Sequence, residues 1–165
     1  EEKTTEGGLD LIKNFSNIKN ISDELSNAGV RVSLFIAPEI DQIDKAIEMK
    51  VPIIELHTGN YADFKGEEKD KELFKIQHAT QYARKAGILV NAGHGLHYEN
   101  VQNIAKINGI HETCIVLPRS VPAGWAATGA ATARLASSIR VRIIIMVLIR
   151  PHPARLAGRG HSGSG

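Results

Sequence analysis

Two residues of this sequence combine a reactive side chain with a suggestive position. Glu55 stands in an otherwise apolar run, residues 53–56, and a carboxylate buried without a partner is costly, so such a glutamate is usually paired or functional. His94 stands between two glycines, which leave space for a ligand, and imidazole titrates near neutral pH. Both side chains are therefore candidates for proton transfer or for stabilising charge.

Each candidate also has a plainer interpretation. Glu55 could pair with a neighbouring loop, and His94 could be a solvated turn residue. A metal site of Glu55, His57 and His94 is a further alternative, since two imidazoles and one carboxylate bind several transition metals. Glu55 and His57 share one face of a strand, but no other ligand spacing accompanies them, so we expect no metal. His97 is expected on the following helix.

Alternating strands and helices must position these residues. Strands are predicted at residues 30–36, 52–57 and 88–91, and apolar residues spaced three or four apart predict helices between them. Loops are predicted at 58–61 and 92–95. The alternation is typical of parallel βαβ units and predicts the α/β class, without separating a barrel from an open sheet. In such folds active sites collect where strands end, which selects Glu55 and His94.

The charged residues divide the chain into two parts. Residues 1–112 hold all 18 acidic and 13 of the 20 basic residues, a net charge of −5, whereas residues 113–165 hold 7 arginines and no acid. We predict an α/β domain at 1–112 and a divergent Arg-rich tail at 113–165, with a frame shift or chimera as a hypothesis for its origin. The tail has one aromatic residue, Trp125, so nucleic-acid binding is not expected.

Composition favours a soluble cytoplasmic protein without a membrane partner. The single cysteine, Cys114, excludes an internal disulfide and suits a reducing compartment. The longest apolar run, residues 143–149, is far shorter than the roughly 20 residues of a membrane-spanning helix, and no signal segment opens the sequence. The 165 residues can bury one core but are too few for a complete eight-stranded barrel of about 250 residues.

Four strings resemble the pyridoxine 5′-phosphate synthase family over residues 1–112. They are Thr-Thr-Glu-Gly-Gly-Leu-Asp (4–10), Val-Ser-Leu-Phe-Ile (32–36), Ile-Glu-Leu-His-Thr-Gly (54–59) and Val-Asn-Ala-Gly-His-Gly-Leu (90–96), with Tyr61-Ala62, Tyr98 and Asn100-Val101 nearby. The resemblance implies the C-terminal half of a TIM-type (β/α) barrel from an octameric transferase of vitamin B6 biosynthesis. It also implies condensation of 3-amino-2-oxopropyl phosphate with 1-deoxy-D-xylulose 5-phosphate, without a metal or organic cofactor.

The same resemblance implies roles for four residues. His94 would donate a proton and Glu55 would stabilise a transition state, whereas Thr4 would contact the deoxyxylulose phosphate and Gly95 the aminooxopropyl phosphate. Thr4 also opens a loop of hydroxyls and amides that suits a phosphate, although an ordinary helix cap has the same composition. The family's first half and its later Gly-His pair have no counterpart here. A non-catalytic fragment with phosphate affinity and another phosphosugar-binding barrel enzyme therefore remain alternatives.

We expect this 165-residue chain by itself to be inactive. A half barrel leaves strand edges unpaired and helix faces uncovered, which also favours aggregation or association. The measurement is pyridoxine 5′-phosphate formation by the purified chain, with a His94→Ala variant as the control. Turnover well above that of the control would contradict the expectation.

Overall fold

The computed structural model describes residues 7–115 and shows a parallel sheet that alternates with helices. The elements are α1 (Phe15–Asn27), β1 (Ser33–Ile36), α2 (Ile40–Glu48), β2 (Ile53–His57), α3 (Gly59–Asp63), α4 (Gly66–Lys85), β3 (Leu89–Gly93), α5 (Val101–Ala105) and β4 (Ile110–Cys114). The strands stand in the order β1-β2-β3-β4, and every neighbouring pair is parallel. The predicted α/β class is confirmed, and closure into a barrel stays a prediction.

The two faces of the sheet differ in chemistry because successive strand residues point to opposite sides. One face is apolar and belongs to the same buried cluster as the helix residues Ile43, Ile76 and Ile104; its strand members are Leu34, Ile36, Ile54, Leu56, Val90 and Ala92. The other face carries a row in register across all four strands, which consists of Phe35, Glu55, Asn91 and Glu112. The fold therefore collects Glu55, Asn91 and Glu112 on one side of the sheet.

An irregularity between β3 and β4 sets which residues of β4 reach the polar face. Val90 pairs with Ile110, but the next residue, Asn91, pairs with Glu112, so His111 is an extra residue on β4. This two-against-one pairing is a β-bulge. The bulge places Glu112 in the same row as Glu55.

The structure differs from the predicted elements in three places around the strand ends. A loop was expected at residues 58–61, but α3 begins at Gly59, and its five residues are too few to show a helical repeat. β3 continues to Gly93, so two residues of the predicted exit loop belong to the strand. His97 lies before α5, which begins at Val101, and is not on that helix as expected.

Parts of the sequence interpretation lie outside the described residues. The proposed substrate contact Thr4 lies outside them, and so does the segment 116–165, which is most of the predicted tail. The division at residue 112 stays a prediction. Among residues 7–115, no helix is long and apolar enough to cross a membrane.

Replacing Ile54 tests the apolar face as the main source of stability. Ile54 lies mid-strand and is 0% exposed, so Ile54→Ala removes buried methyl groups and leaves a cavity. We expect the free energy of unfolding to fall by about 2–5 kcal/mol. The matched control is Ile12→Ala, because Ile12 is 50% exposed, and its effect should stay within about 0.5 kcal/mol. Denaturant titration measures both variants, and equal losses would contradict this account of the core.

Candidate functional site

Three aromatic rings meet where β1, β2 and β3 end. Parallel pairing brings these strand ends to one edge of the sheet, with Phe35 on β1, His57 at the end of β2 and His94 directly after β3. The rings of His57 and His94 are stacked with their centroids 4.5 Å apart. The ring of Phe35 lies 5.3 Å from His57 and 6.2 Å from His94. The residue selected from sequence, His94, is therefore part of an aromatic cluster.

His57 is buried and held in one orientation. The backbone N–H of Gly59 donates to its Nδ1 at 3.3 Å, which assigns the proton of the neutral ring to Nε2. Burial, and then the nearby His94, lower the pKa of His57, and Asp63 acts in the opposite direction. A Cβ at position 59 would collide with the His57 ring and would lie 3.1 Å from Cδ2 of His94. Position 59 therefore needs glycine.

The backbone of His94 adopts a conformation that few side-chain-bearing residues accept. Its φ is +86°, in the left-handed region, which costs a residue with a Cβ about 1–2 kcal/mol. The buried Thr58 holds this turn: its Oγ1 lies 2.8 Å from the carbonyl oxygen of Gly93 and 2.6 Å from that of His94. The N–H of Thr58 also donates to Gly93 O at 2.9 Å. Thr58 thus fixes the backbone position from which the exposed side chain of His94 extends.

The loop that follows His94 is braced by Asn100. Its Nδ2 donates to the carbonyl oxygen of Gly95 at 3.0 Å, and its Oδ1 accepts from the N–H of His97 at 2.8 Å. The hydroxyl of Tyr61 donates to Asn100 O at 2.7 Å, which ties the loop to α3. Gly95 has a φ of +71°, and a Cβ there would lie 2.7 Å from Cβ of Ala62. Gly95 is exposed and adjacent to His94.

Glu55 is a buried carboxyl group in the same row as a second one, that of Glu112, with Asn91 between them. It is 4% exposed, and its Oε2 has no hydrogen-bond partner among the described residues. Burial, and then the charge of Glu112, raise its pKa to about 7. The other oxygen, Oε1, occupies the space that a Cβ of Gly93 would need. A carboxyl group with this pKa gains and loses a proton near neutral pH, which suits acid-base chemistry.

Glu55 lies in the middle of β2 and His94 lies directly after β3, and the structure adds residues that the sequence interpretation missed. Asn91 and Glu112 share the row of Glu55, and the strand that carries Glu112 was not predicted. The sequence interpretation gives His57 a place only in the alternative metal site. The signal in the sequence was that His57 follows Glu55 by two residues, which puts both side chains on one face of β2. Within residues 7–115, no three His, Cys, Asp or Glu side chains are grouped to hold a metal ion.

Comparisons with known proteins agree on one family. The family model described as "Pyridoxal phosphate biosynthesis protein PdxJ" matches residues 1–136. A "Pyridoxine 5'-phosphate synthase" of Prochlorococcus marinus (strain MIT 9312) is 48% identical over 112 residues, which are 68% of this chain and 47% of that protein. One of Sulfurihydrogenibium sp. (strain YO3AOP1) is 46% identical over 112 residues, which are 68% of this chain and 46% of that protein. The chain spans about half the length of these relatives.

The pKa of Glu55 predicts a pH-dependent effect of Glu55→Gln. Because the folded-state pKa of about 7 lies above the ordinary 4.5, the folded protein holds this proton more tightly than the unfolded chain. The stability that the protonated Glu55 contributes at low pH is therefore lost as the pH rises from 4.5 to about 7. Glutamine cannot ionise, so the variant should gain stability relative to the unmodified chain, by at most about 3 kcal/mol above neutral pH.

Denaturant titrations at about pH 5 and about pH 8 measure this gain. Glu24→Gln, at an exposed position of α1, is the control for replacing a surface glutamate. A stability difference for Glu55→Gln that is the same at both pH values would contradict a raised pKa.

Proposed function

Because the chain belongs to the family of the pyridoxal phosphate biosynthesis protein PdxJ, we propose that it acts as a pyridoxine 5′-phosphate synthase. The proposed reaction condenses 3-amino-2-oxopropyl phosphate with 1-deoxy-D-xylulose 5-phosphate and releases pyridoxine 5′-phosphate, phosphate and water. The observation that supports this proposal is that a family member carries Glu55, a buried carboxyl group with a raised pKa on β2, and His94, an exposed imidazole directly after β3. Sequence position and family resemblance select the same two side chains independently.

The chemistry of the two side chains fits the steps of such a condensation. Amine addition to a ketone, dehydration and phosphate loss all need protons to be moved, and an exposed imidazole between two glycines suits proton donation. The ionised form of Glu55 would offset positive charge that develops on the reacting nitrogen. A pKa of about 7 allows Glu55 to be ionised in part of the molecules at neutral pH.

The remaining parts of the proposal concern substrates and assembly. Thr4 would contact the deoxyxylulose phosphate and Gly95 the aminooxopropyl phosphate, with neither a metal nor an organic cofactor. Because the chain spans about half the length of its relatives, a complete TIM-type barrel and the other site residues would require the rest of a family protein. A cytoplasmic location and a homo-octamer complete the proposal.

A hybrid enzyme tests the synthase proposal. In the Prochlorococcus marinus relative, the matched 112-residue segment is replaced by the corresponding residues of this chain. We expect the hybrid to form pyridoxine 5′-phosphate, and His94→Ala to lower kcat by about 10²–10⁴-fold. His78→Ala is the control, because His78 is an exposed histidine on α4. A folded hybrid without turnover, made beside an active relative, would contradict the proposed function.

A further inference from the structure

One buried histidine of the site has no part in the proposed chemistry. We propose that His57 is a positioning residue for His94: its fixed ring is the surface against which the imidazole of His94 stacks. The proposal rests on the proposed function in so far as His94 is the proton donor. The stacking itself is a property of the fold and can be measured without turnover.

The ring of His57 is suited to serve as a fixed surface because it is held on several sides. Its Nδ1 accepts the N–H of Gly59 at 3.3 Å, and the Phe35 ring lies 5.3 Å away at an angle of 56°. The absence of a side chain at Gly59 lets the backbone of α3 approach the His57 ring closely. A buried ring with these contacts has little freedom to rotate.

His94 needs such a surface because its own side chain is exposed. Thr58 fixes its carbonyl oxygen at 2.6 Å, but this contact does not orient the ring. The stack on His57, at 4.5 Å between centroids and 28° between planes, does orient it. Stacking uses the face of the imidazole, and the two nitrogens lie in the ring plane, so they stay available for proton transfer. The orientation is therefore compatible with the proposed chemistry.

Burial favours the neutral form of His57, which a proton-donating neighbour requires. Two imidazolium rings 4.5 Å apart would repel each other, whereas a neutral ring accepts a cation against its face. Burial and His94 lower the pKa of His57. The other titratable groups near it are Asp63 on α3, which acts in the opposite direction, and Glu55 two residues earlier on β2. His57 is therefore suited to stay neutral beside the proposed proton donor.

Proton NMR of the full chain tests the stack directly. We expect cross-relaxation between the ring protons of His57 and His94, and ring-current shifts on the His94 protons. His57→Asn, which has no ring, should abolish these shifts, whereas His57→Phe should retain them. His78→Asn, on the exposed side of α4, is the control. No cross-relaxation in the unmodified chain, or an unchanged His94 spectrum in His57→Asn, overturns the proposal.

If His57→Asn does not fold, His57→Phe decides the question. The phenyl ring keeps the stacking surface and cannot accept the Gly59 N–H. His94 protons that keep their ring-current shift in His57→Phe support the proposal, and His94 protons at their solvent-exposed shift overturn it.

Turnover of the hybrid enzyme supplies a second readout. We expect His57→Asn to lower kcat on the order of 100-fold with little change in KM, and His57→Phe to recover most of the loss. A merely structural role would not separate kcat from KM in this way. Equal kcat for His57→Asn and the unmodified hybrid overturns the positioning role. A hybrid without any turnover contradicts the synthase proposal instead, and the NMR result still decides on the stack.

Discussion

Parallel pairing of the strands is the constraint on which the site depends. Parallel neighbours end at the same edge of a sheet, so residues far apart in sequence, such as Phe35, His57 and His94, are brought together without any loop reaching across. The same pairing puts side chains of neighbouring strands in rows. Because neighbouring strands lie less than about 5 Å apart, every large side chain in such a row competes with its neighbours for space.

Two glycines provide the space that two polar side chains of the site need. Gly93 leaves room for the carboxyl group of Glu55, and Gly59 leaves room for the ring of His57. Thr58, which directly precedes Gly59, bonds to the carbonyl oxygens of Gly93 and His94 and so stabilises the turn after β3. The unfavourable backbone angle of His94 is thus offset locally, within a cluster of contacts that also positions its side chain.

The sequence predicted the fold class and selected Glu55 and His94 as candidates, because both inferences depend on short-range patterns; the roles of the two residues stay proposals. Burial of Glu55 follows from its apolar neighbours, and exposure of His94 follows from its flanking glycines. The stack of His57 on His94 was not predictable, because it depends on the register between β2 and β3 and on the close approach of α3. Glu112 was missed for a similar reason, since it reaches the polar face only through pairing with β3. Thr4 lies outside the described residues, so its role stays a proposal.

The bulge at His111 determines on which face of the sheet the second carboxyl group, that of Glu112, lies. If β4 paired regularly with β3, without the bulge, His111 would stand opposite Asn91, and Glu112 would stand opposite Ala92 on the apolar face. The extra residue therefore keeps the second carboxyl group on the face of Glu55 and away from the aliphatic side chains. The proton affinity of Glu55 is in this sense encoded by a residue count in β4 as well as by the identity of any side chain.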